Sequence, residues 1–245
     1  MNETKNRHEN KKHLTRLGTT WGGLHVDLDL IPQKSLVISA GLAGDISFDL
    51  DLISRKDCYV IGVDPTQLSR KTVRRAFYLS LRSGIGKYFS KRKHFYLLRK
   101  AVLGKTNLTV HLGGPARTFL SPVGEKAETI SLEDLVSMYE GAALLKLDIE
   151  GAEFPAFETL SAKLRFPQIT VGFHVWLNSV SDQFPNEGVI PNLYTGKDVV
   201  NIVNKIKGMG YKLVYEEREV EERIGQETLF IRNEFASKYS DLEIS

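Results

Sequence analysis

From about residue 21 onward the chain alternates short, continuously apolar runs with segments whose apolar residues recur every three to four positions. Ser35–Ser39 (SLVIS) is apolar and β-branched and ends in AGLAGD, which predicts a strand running into a glycine turn. The next segment, ISFDLDLIS, carries apolar residues at Ile46, Phe48, Leu50, Leu52 and Ile53. It predicts a helix, although Phe48, Leu50 and Leu52 also satisfy a period of two. Cys58–Val63 (CYVIGV) is apolar throughout, as a strand buried on both faces of a parallel sheet is, and it closes at Asp64-Pro65. Strand, helix and strand within ~30 residues form a βαβ unit. Residues Pro65 to Tyr96 read as helix interrupted at Ser83-Gly84-Ile85-Gly86. Strands follow over Phe95–Leu103 and Leu108–Leu112, around a turn at Gly104–Asn107.

In the second half, Ser131-Leu132-Glu133-Asp134 matches a capping box and opens a short helix through Tyr139, with Gly141 ending it. Leu144–Ile149 (LLKLDI) is a strand closed by Glu150-Gly151, and a short helix (EFPAFETL) follows with Pro155 in its first turn. Gln168–Val175 reads as strand. Leu177–Thr195, rich in Asn, Ser, Pro and Gly, reads as a long loop over a site. Val199, Val200, Ile202, Val203 and Ile206 make a helical stripe over Lys197–Met209. The last strands, Lys212–Tyr215 and Thr228–Ile231, lie close enough in sequence for antiparallel pairing. The whole predicts an α/β chain folded as a doubly wound, Rossmann-like sheet, mostly parallel, with one antiparallel strand near the C-terminus. Residues 1–20 are expected to be a polar, basic tail and residues 21–245 a single domain.

Composition narrows the classes. With 245 residues, 42% hydrophobic and 26% charged, the chain is neither fibrous nor disordered. Its single cysteine, Cys58, excludes an internal disulfide and a Cys-based zinc cluster, and its apolar setting predicts a small buried hydrophobe. No run approaches the ~20 apolar residues of a membrane span, and the first residues lack the apolar core of a signal peptide, so a cytoplasmic protein is expected. Net charge is +3. Its distribution says more: residues 65 to 124 contain no Asp or Glu but thirteen of the 33 Lys and Arg. Either an anionic partner or a solvated face balanced by acids elsewhere accounts for this run. Phe77, Tyr78, Tyr88, Phe89, Phe95 and Tyr96 are interleaved with it and suit either base stacking or the core.

Ligands of open α/β sheets lie beyond the carboxyl ends of the strands, and those positions are polar here. Gly41 and Gly44 allow close backbone approach at a helix N-terminus. Asp64, about 20 residues on, stands where a carboxylate accepts ribose hydroxyls. A nicotinamide enzyme would want G-x-G-x-x-G and a pyrophosphate on the helix. This turn has only Gly41-x-x-Gly44 followed by Asp45, a carboxylate that repels pyrophosphate and pairs with an amino-acid ammonium. That favours S-adenosylmethionine over NAD. Asp148 and Glu150 are one residue apart at the end of a strand and share a face, and His174 ends a neighbouring strand. His174 is the candidate general base, its ordinary pKa of ~6.5 suiting neutral pH, with a bond to a backbone carbonyl as the alternative. Asp148, Glu150 and His174 are alternatively an Mg²⁺ site, a reading set below orientation of an acceptor hydroxyl and electrostatic favour for a cationic donor.

KLDIEGAE at Lys146–Glu153, preceded by SLEDL, resembles the central motif of the FkbM-type S-adenosylmethionine-dependent methyltransferases. WGG at 21–23, ISAGLAGDISFD at 38–49, VDP at 63–65 and LFIRN at 229–233 resemble the family's other blocks in the family's order. The resemblance implies a class I methyltransferase fold. It implies Gly41, Gly44 and Asp45 near the methionine end of the donor, Asp64 on the ribose, Ala101 and Val102 near the adenine, and Asp148 lining the transfer site. Many relatives carry an acid two residues before the strand-end histidine, where this chain has Gly172. The expectation is methyl transfer to oxygen on a small, sugar-like, glycan or lipid-precursor acceptor, anionic if the basic run contacts it. Nucleic acid is a less favoured partner. A noncatalytic anion-binding module and a nicotinamide oxidoreductase are the competing readings.

Overall fold

The computed structural model describes residues 13–20, 22–82, 92–113, 119–121, 124–161, 164–175, 194–218 and 225–239. Seven strands form the main sheet: β3 (Leu36–Ala40), β4 (Tyr59–Val63), β5 (Phe95–Leu98), β10 (Leu144–Leu147), β11 (Gln168–His174), β12 (Tyr211–Arg218) and β13 (Gly225–Arg232). Their spatial order is β12-β13-β11-β10-β3-β4-β5. Every neighbouring pair is parallel except those of β13, which runs against both β11 and β12. One reversed strand in a doubly wound sheet is the expected class I methyltransferase architecture.

The helices follow from the same patterning. The ambiguous ISFDLDLIS segment is helical: α1 spans Ser47–Lys56, burying Phe48, Asp49, Leu52 and Ile53. A parallel β3–β4 pair needs a crossover between its strands, and that requirement overrides the local period of two. Among the described residues four further helices are α2 (Gln67–Arg82), α3 (Leu132–Met138), α4 (Glu153–Glu158) and α5 (Gly196–Gly208). Half of the predicted capping box of α3 forms, with Asp134 N–H donating to Ser131 Oγ at 3.0 Å, while the Ser131 N–H donates to Thr106 Oγ1 instead of the Asp134 carboxylate. The apolar core on one sheet face joins Ile38, Leu145, Leu147 and Phe173 to Leu135, Phe157 and Ile206 of α3, α4 and α5. On the opposite face Val37, Val60 and Leu144 pack with Phe48 and Leu52 of α1, and with Leu17 and Leu24. Cys58 is fully buried there as a free thiol.

Three features differ from the sequence expectations. Thr15–Leu17, placed in the polar tail, is strand β1, paired antiparallel with β2 (Leu24–Val26), and Leu17 is fully buried. Three residues are too few for periodicity to register, and only the partner strand makes them a strand. Phe95–Leu103 is not one strand: the chain leaves the main sheet at Arg99-Lys100 and enters a second, four-stranded sheet. That sheet contains, in spatial order β6-β9-β7-β8, the strands β6 (Ala101–Leu103), β7 (Thr109–Gly113), β8 (Phe119–Ser121) and β9 (Glu125–Ser131), of which β8 and β9 were not among the predicted strands. Leu144–Ile149 stops pairing at Leu147, two residues early, which frees Asp148 and Ile149 for the cavity below. The break predicted at residues 83–86 and nearly all of the predicted loop over 177–195 lie outside the described residues. No helix among the described residues is long and apolar enough to cross a membrane.

Candidate active site

Strand order reverses between β3, which leads to β4 and β5 on one side, and β10, which leads to β11 on the other. In open α/β sheets the crevice at such a switch point is where ligands bind. A cavity of about 500 Å³ lies there. Gly41, Gly44, Asp45, Asp64, Ala101, Val102, Asp148, Glu150 and His174 all line it, so the strand-end positions singled out above meet in one place.

The glycine turn is held by its neighbours. Gly41 sits at φ +82°, and a Cβ there would lie 1.6 Å from the carbonyl oxygen of Asp148. Only glycine lets the ends of β3 and β10 approach this closely. At Gly44 a Cβ would meet nothing nearer than Leu68 Cδ2 at 3.6 Å, so this second glycine leaves space on the cavity side rather than relieving a clash. Asp64, 4% exposed, accepts the N–H groups of Leu42 and Ala43 on Oδ2, both at 2.9 Å. Its Oδ1 accepts Thr66 N–H at 2.8 Å and the Thr66 hydroxyl at 2.6 Å. All of this carboxylate's acceptor positions are in use within the chain. Instead of standing open for ribose hydroxyls, Asp64 staples the turn from the end of β4.

Asp45 caps the entry to α1, accepting Ser47 N–H at 2.7 Å on Oδ1 and the Thr19 hydroxyl on Oδ2. Burial pushes its pKa up, but the bonds from Thr19 and Ser47 prevail and hold it below the usual carboxylate value. Gly22, whose N–H donates to Thr19 Oγ1 at 3.2 Å, lines the cavity beside Asp45.

At the end of β10, Glu150 (φ +55°) and Gly151 (φ +90°) make a left-handed turn. Glu153, fully buried at the start of α4, fixes it by accepting Ile149 N–H at 2.7 Å and Gly151 N–H at 2.9 Å. The same carboxylate accepts from His174 Nδ1 at 2.9 Å. His174 Nε2 lies 3.4 Å from Asp148 Oδ1 and 3.9 Å from Glu150 Oε2. With carboxylates beyond both ring nitrogens, the ring carries both protons. Burial lowers its pKa, but the charges of Glu153 and Glu150, the hydrogen bond to Glu153 and the charge of Asp148 together raise it to about 10. This shift favours the imidazolium at neutral pH, a form that donates a proton rather than accepting one, and the Nδ1 partner is the Glu153 carboxylate rather than a backbone carbonyl. A Cβ on Gly172 would lie 3.0 Å from Asp148 Oδ1, so any side chain there requires that carboxylate to give by a few tenths of an ångström.

Two residues absent from the sequence candidates complete the site. Lys146, 2% exposed, donates to the Gly41 carbonyl at 2.6 Å and lies 3.5 Å from Asp148 Oδ2. A lone cation inside the apolar run LLKL was its sequence signal. Beneath it, Asp49 of α1 is 1% exposed, and its Oδ1 has no hydrogen-bond partner among the described residues. Burial lifts its carboxyl to about 6 despite the nearby Lys146 charge. Glu150 Oε2 is likewise buried without a hydrogen-bond partner among the described residues, and burial raises the Glu150 pKa.

No family model matches the chain, and no curated protein does. Among solved structures it is similar to the methyltransferase domain of bacterial CtHen1, at 15% identity, covering 81% of this chain and 90% of that one with a TM-score of 0.45. It is similar to the 16S rRNA (adenine(1408)-N(1))-methyltransferase from Catenulisporales acidiphilia, at 13% identity over 88% of this chain and 97% of that one, TM-score 0.42. A third is Aeropyrum pernix fibrillarin with natively bound S-adenosyl-L-methionine, at 9% identity over 84% and 70%, TM-score 0.43. The fold class of this chain stands on its own strand order.

Proposed function

We propose that this chain is an S-adenosylmethionine-dependent methyltransferase of FkbM type that methylates an oxygen of a small, sugar-like or anionic acceptor. The observation that carries the reading is the charge of the switch-point cavity. Four carboxylates line it (Asp45, Asp64, Asp148, Glu150), against Lys146 and the His174 imidazolium. Such a wall favours a cationic sulfonium donor over an anionic dinucleotide. The nicotinamide reading fails on a second count. The Leu42 and Ala43 N–H groups, which would cradle a pyrophosphate, are already bonded to Asp64.

The residues present fit the donor. Its volume class matches a cavity of about 500 Å³, and the space a Gly44 Cβ would fill is open. Gly41, Gly44 and Asp45 would hold the methionine end, and Ala101, Val102 and Leu112 would give the adenine an apolar wall. A ribose hydroxyl would take the place of the Thr66 hydroxyl on Asp64 Oδ1. Bound there, the donor supplies an electrophilic methyl for in-line displacement. The chain's own contribution is alignment, an effect worth up to ~7–11 kcal/mol in such reactions. Proton removal falls to Glu150, whose buried Oε2 has no hydrogen-bond partner among the described residues and whose raised pKa makes it a better base than an ordinary carboxylate. Asp148 orients the acceptor hydroxyl. Glu153 holds the Glu150 turn rigid, and the His174 charge offsets that of Glu150.

Titration calorimetry of the full chain with S-adenosylhomocysteine and with NAD tests this. Micromolar binding of the first and none of the second is expected, with Gly44→Val abolishing it while leaving thermal melting unchanged. Failure of the folded chain to bind S-adenosylhomocysteine would refute the donor assignment and leave the anion-binding module.

A further inference from the structure

Helix α2 leaves the cavity rim directly after Thr66, and none of its sixteen residues is acidic. Its buried side includes Ser69, which is fully buried, while Arg70, Lys71, Arg74 and Arg75 are exposed. At ~100° per residue these four cations share one arc of the helix, and Tyr78, 59% exposed, sits in the middle of that arc one turn beyond Arg74. From Arg70 to Tyr78 the face runs for about 12 Å.

Two other cations of the acid-free stretch are balanced by acids from elsewhere in the chain. Arg99 lies 3.7 Å from Glu125 and Lys100 lies 3.6 Å from Glu128. No ion pair among the described residues reaches the four α2 cations. A solvated face balanced by acids elsewhere therefore describes Arg99 and Lys100 but not α2. Concentrated, uncompensated positive charge on a rigid element is complementary to a polyanion. Three of the four cations are arginines, whose planar fork suits the two free oxygens of a phosphodiester. An exposed tyrosine among them offers a stacking platform for an unpaired base. An anionic membrane fits less well, because an interfacial helix must bury a continuous apolar stripe. Besides Tyr78, the exposed apolar residue among the described side chains of α2 is Leu68, which is directed toward Gly44 at the rim.

We infer that the exposed face of α2 is a docking surface for single-stranded nucleic acid, with Arg70, Lys71, Arg74 and Arg75 on consecutive phosphates and Tyr78 stacked on a base. This inference stands on α2 alone and not on the donor assignment.

Fluorescence anisotropy of the full chain with labelled single strands of about 20 nucleotides, RNA and DNA of one sequence, reads it directly. Four neutralised phosphates give a log–log salt slope of about −2.8, so affinity falls roughly 50-fold between about 50 and 200 mM salt. Arg74→Ala with Arg75→Ala halves the slope, leaving a roughly sevenfold fall. Tyr78→Ala weakens binding about tenfold at every salt concentration without changing the slope. Melting temperature and S-adenosylhomocysteine binding report whether these surface variants still fold. Equal affinity for the two strands assigns the site to the sugar-phosphate backbone, and preference for RNA assigns it to the 2′-hydroxyl as well; both support the docking surface. Binding to phosphatidylserine vesicles without binding to either strand overturns it in favour of a membrane, and binding to neither overturns it in favour of a solvated face.

Discussion

Replacing His174 with Gln removes a titratable cation from among three carboxylates while leaving a donor opposite Glu153. The ring's pKa is raised from 6.5 to about 10 by those carboxylates, against the effect of burial. The unfolded chain releases this proton near pH 6.5 and the folded chain near pH 10, so between the two the native state holds the extra proton. The stabilisation is complete below pH 6.5 and is lost as pH rises toward 10, at ~1.4 kcal/mol per unit. Between about pH 7 and 9 the His174 contribution thus falls by roughly 2–3 kcal/mol. Urea unfolding at pH 7, 8 and 9 compares the wild type with His174→Gln. The wild type should lose stability across this range, and the variant, already weaker by ~3–5 kcal/mol at pH 7 because its carboxylates lack their cation, should show a slope flatter by the stated amount. Parallel pH dependences, or a ring nitrogen spectrum showing neutral imidazole at pH 8, would refute the reasoning and restore His174 as a candidate base.

Further outcomes follow from the same geometry. Gly41→Ala forces a Cβ to within 1.6 Å of the Asp148 carbonyl at a φ of +82°, and should cost more than ~3 kcal/mol of stability; a melting temperature within a few degrees of wild type would contradict the close approach. Asp64→Asn leaves one acceptor oxygen for four donors, so we expect a loss of ~1–3 kcal/mol in chemical denaturation together with weaker S-adenosylhomocysteine binding. Asp49, raised to about 6, holds a proton in the folded state that the unfolded state loses near 3.8, so its contribution declines as pH rises through that window. Asp49→Asn should therefore stabilise the chain at pH 8, by ~1–3 kcal/mol in urea, and unchanged or lower stability would show that the Lys146 charge dominates there. Glu150→Gln should lower turnover at least ~100-fold with donor affinity retained, and full turnover would move proton removal elsewhere.

What periodicity can express was legible in the chain. Apolar runs located the main-sheet strands, the helical stripe located α5, and Ser131 located the start of α3, because each depends on neighbours within one or two turns. The strand-end rule then picked out Gly41, Asp64, Asp148 and His174, since a parallel sheet brings its carboxyl ends to one edge whatever the side chains are. Tertiary structure decided the rest. Strands β1 and β8 are three residues each and exist only through their partners. Asp64 was placed correctly in the chain, but its bonding depends on backbone N–H groups 21 and 22 residues away. His174 shows the limit most plainly: its charge is a sum over Asp148 and Glu150 at the end of β10, Glu153 on α4 and its own burial. A sequence lists those acids, but the 2.9 to 3.9 Å separations that turn a neutral imidazole into a buried cation arise only when β10, α4 and β11 pack together.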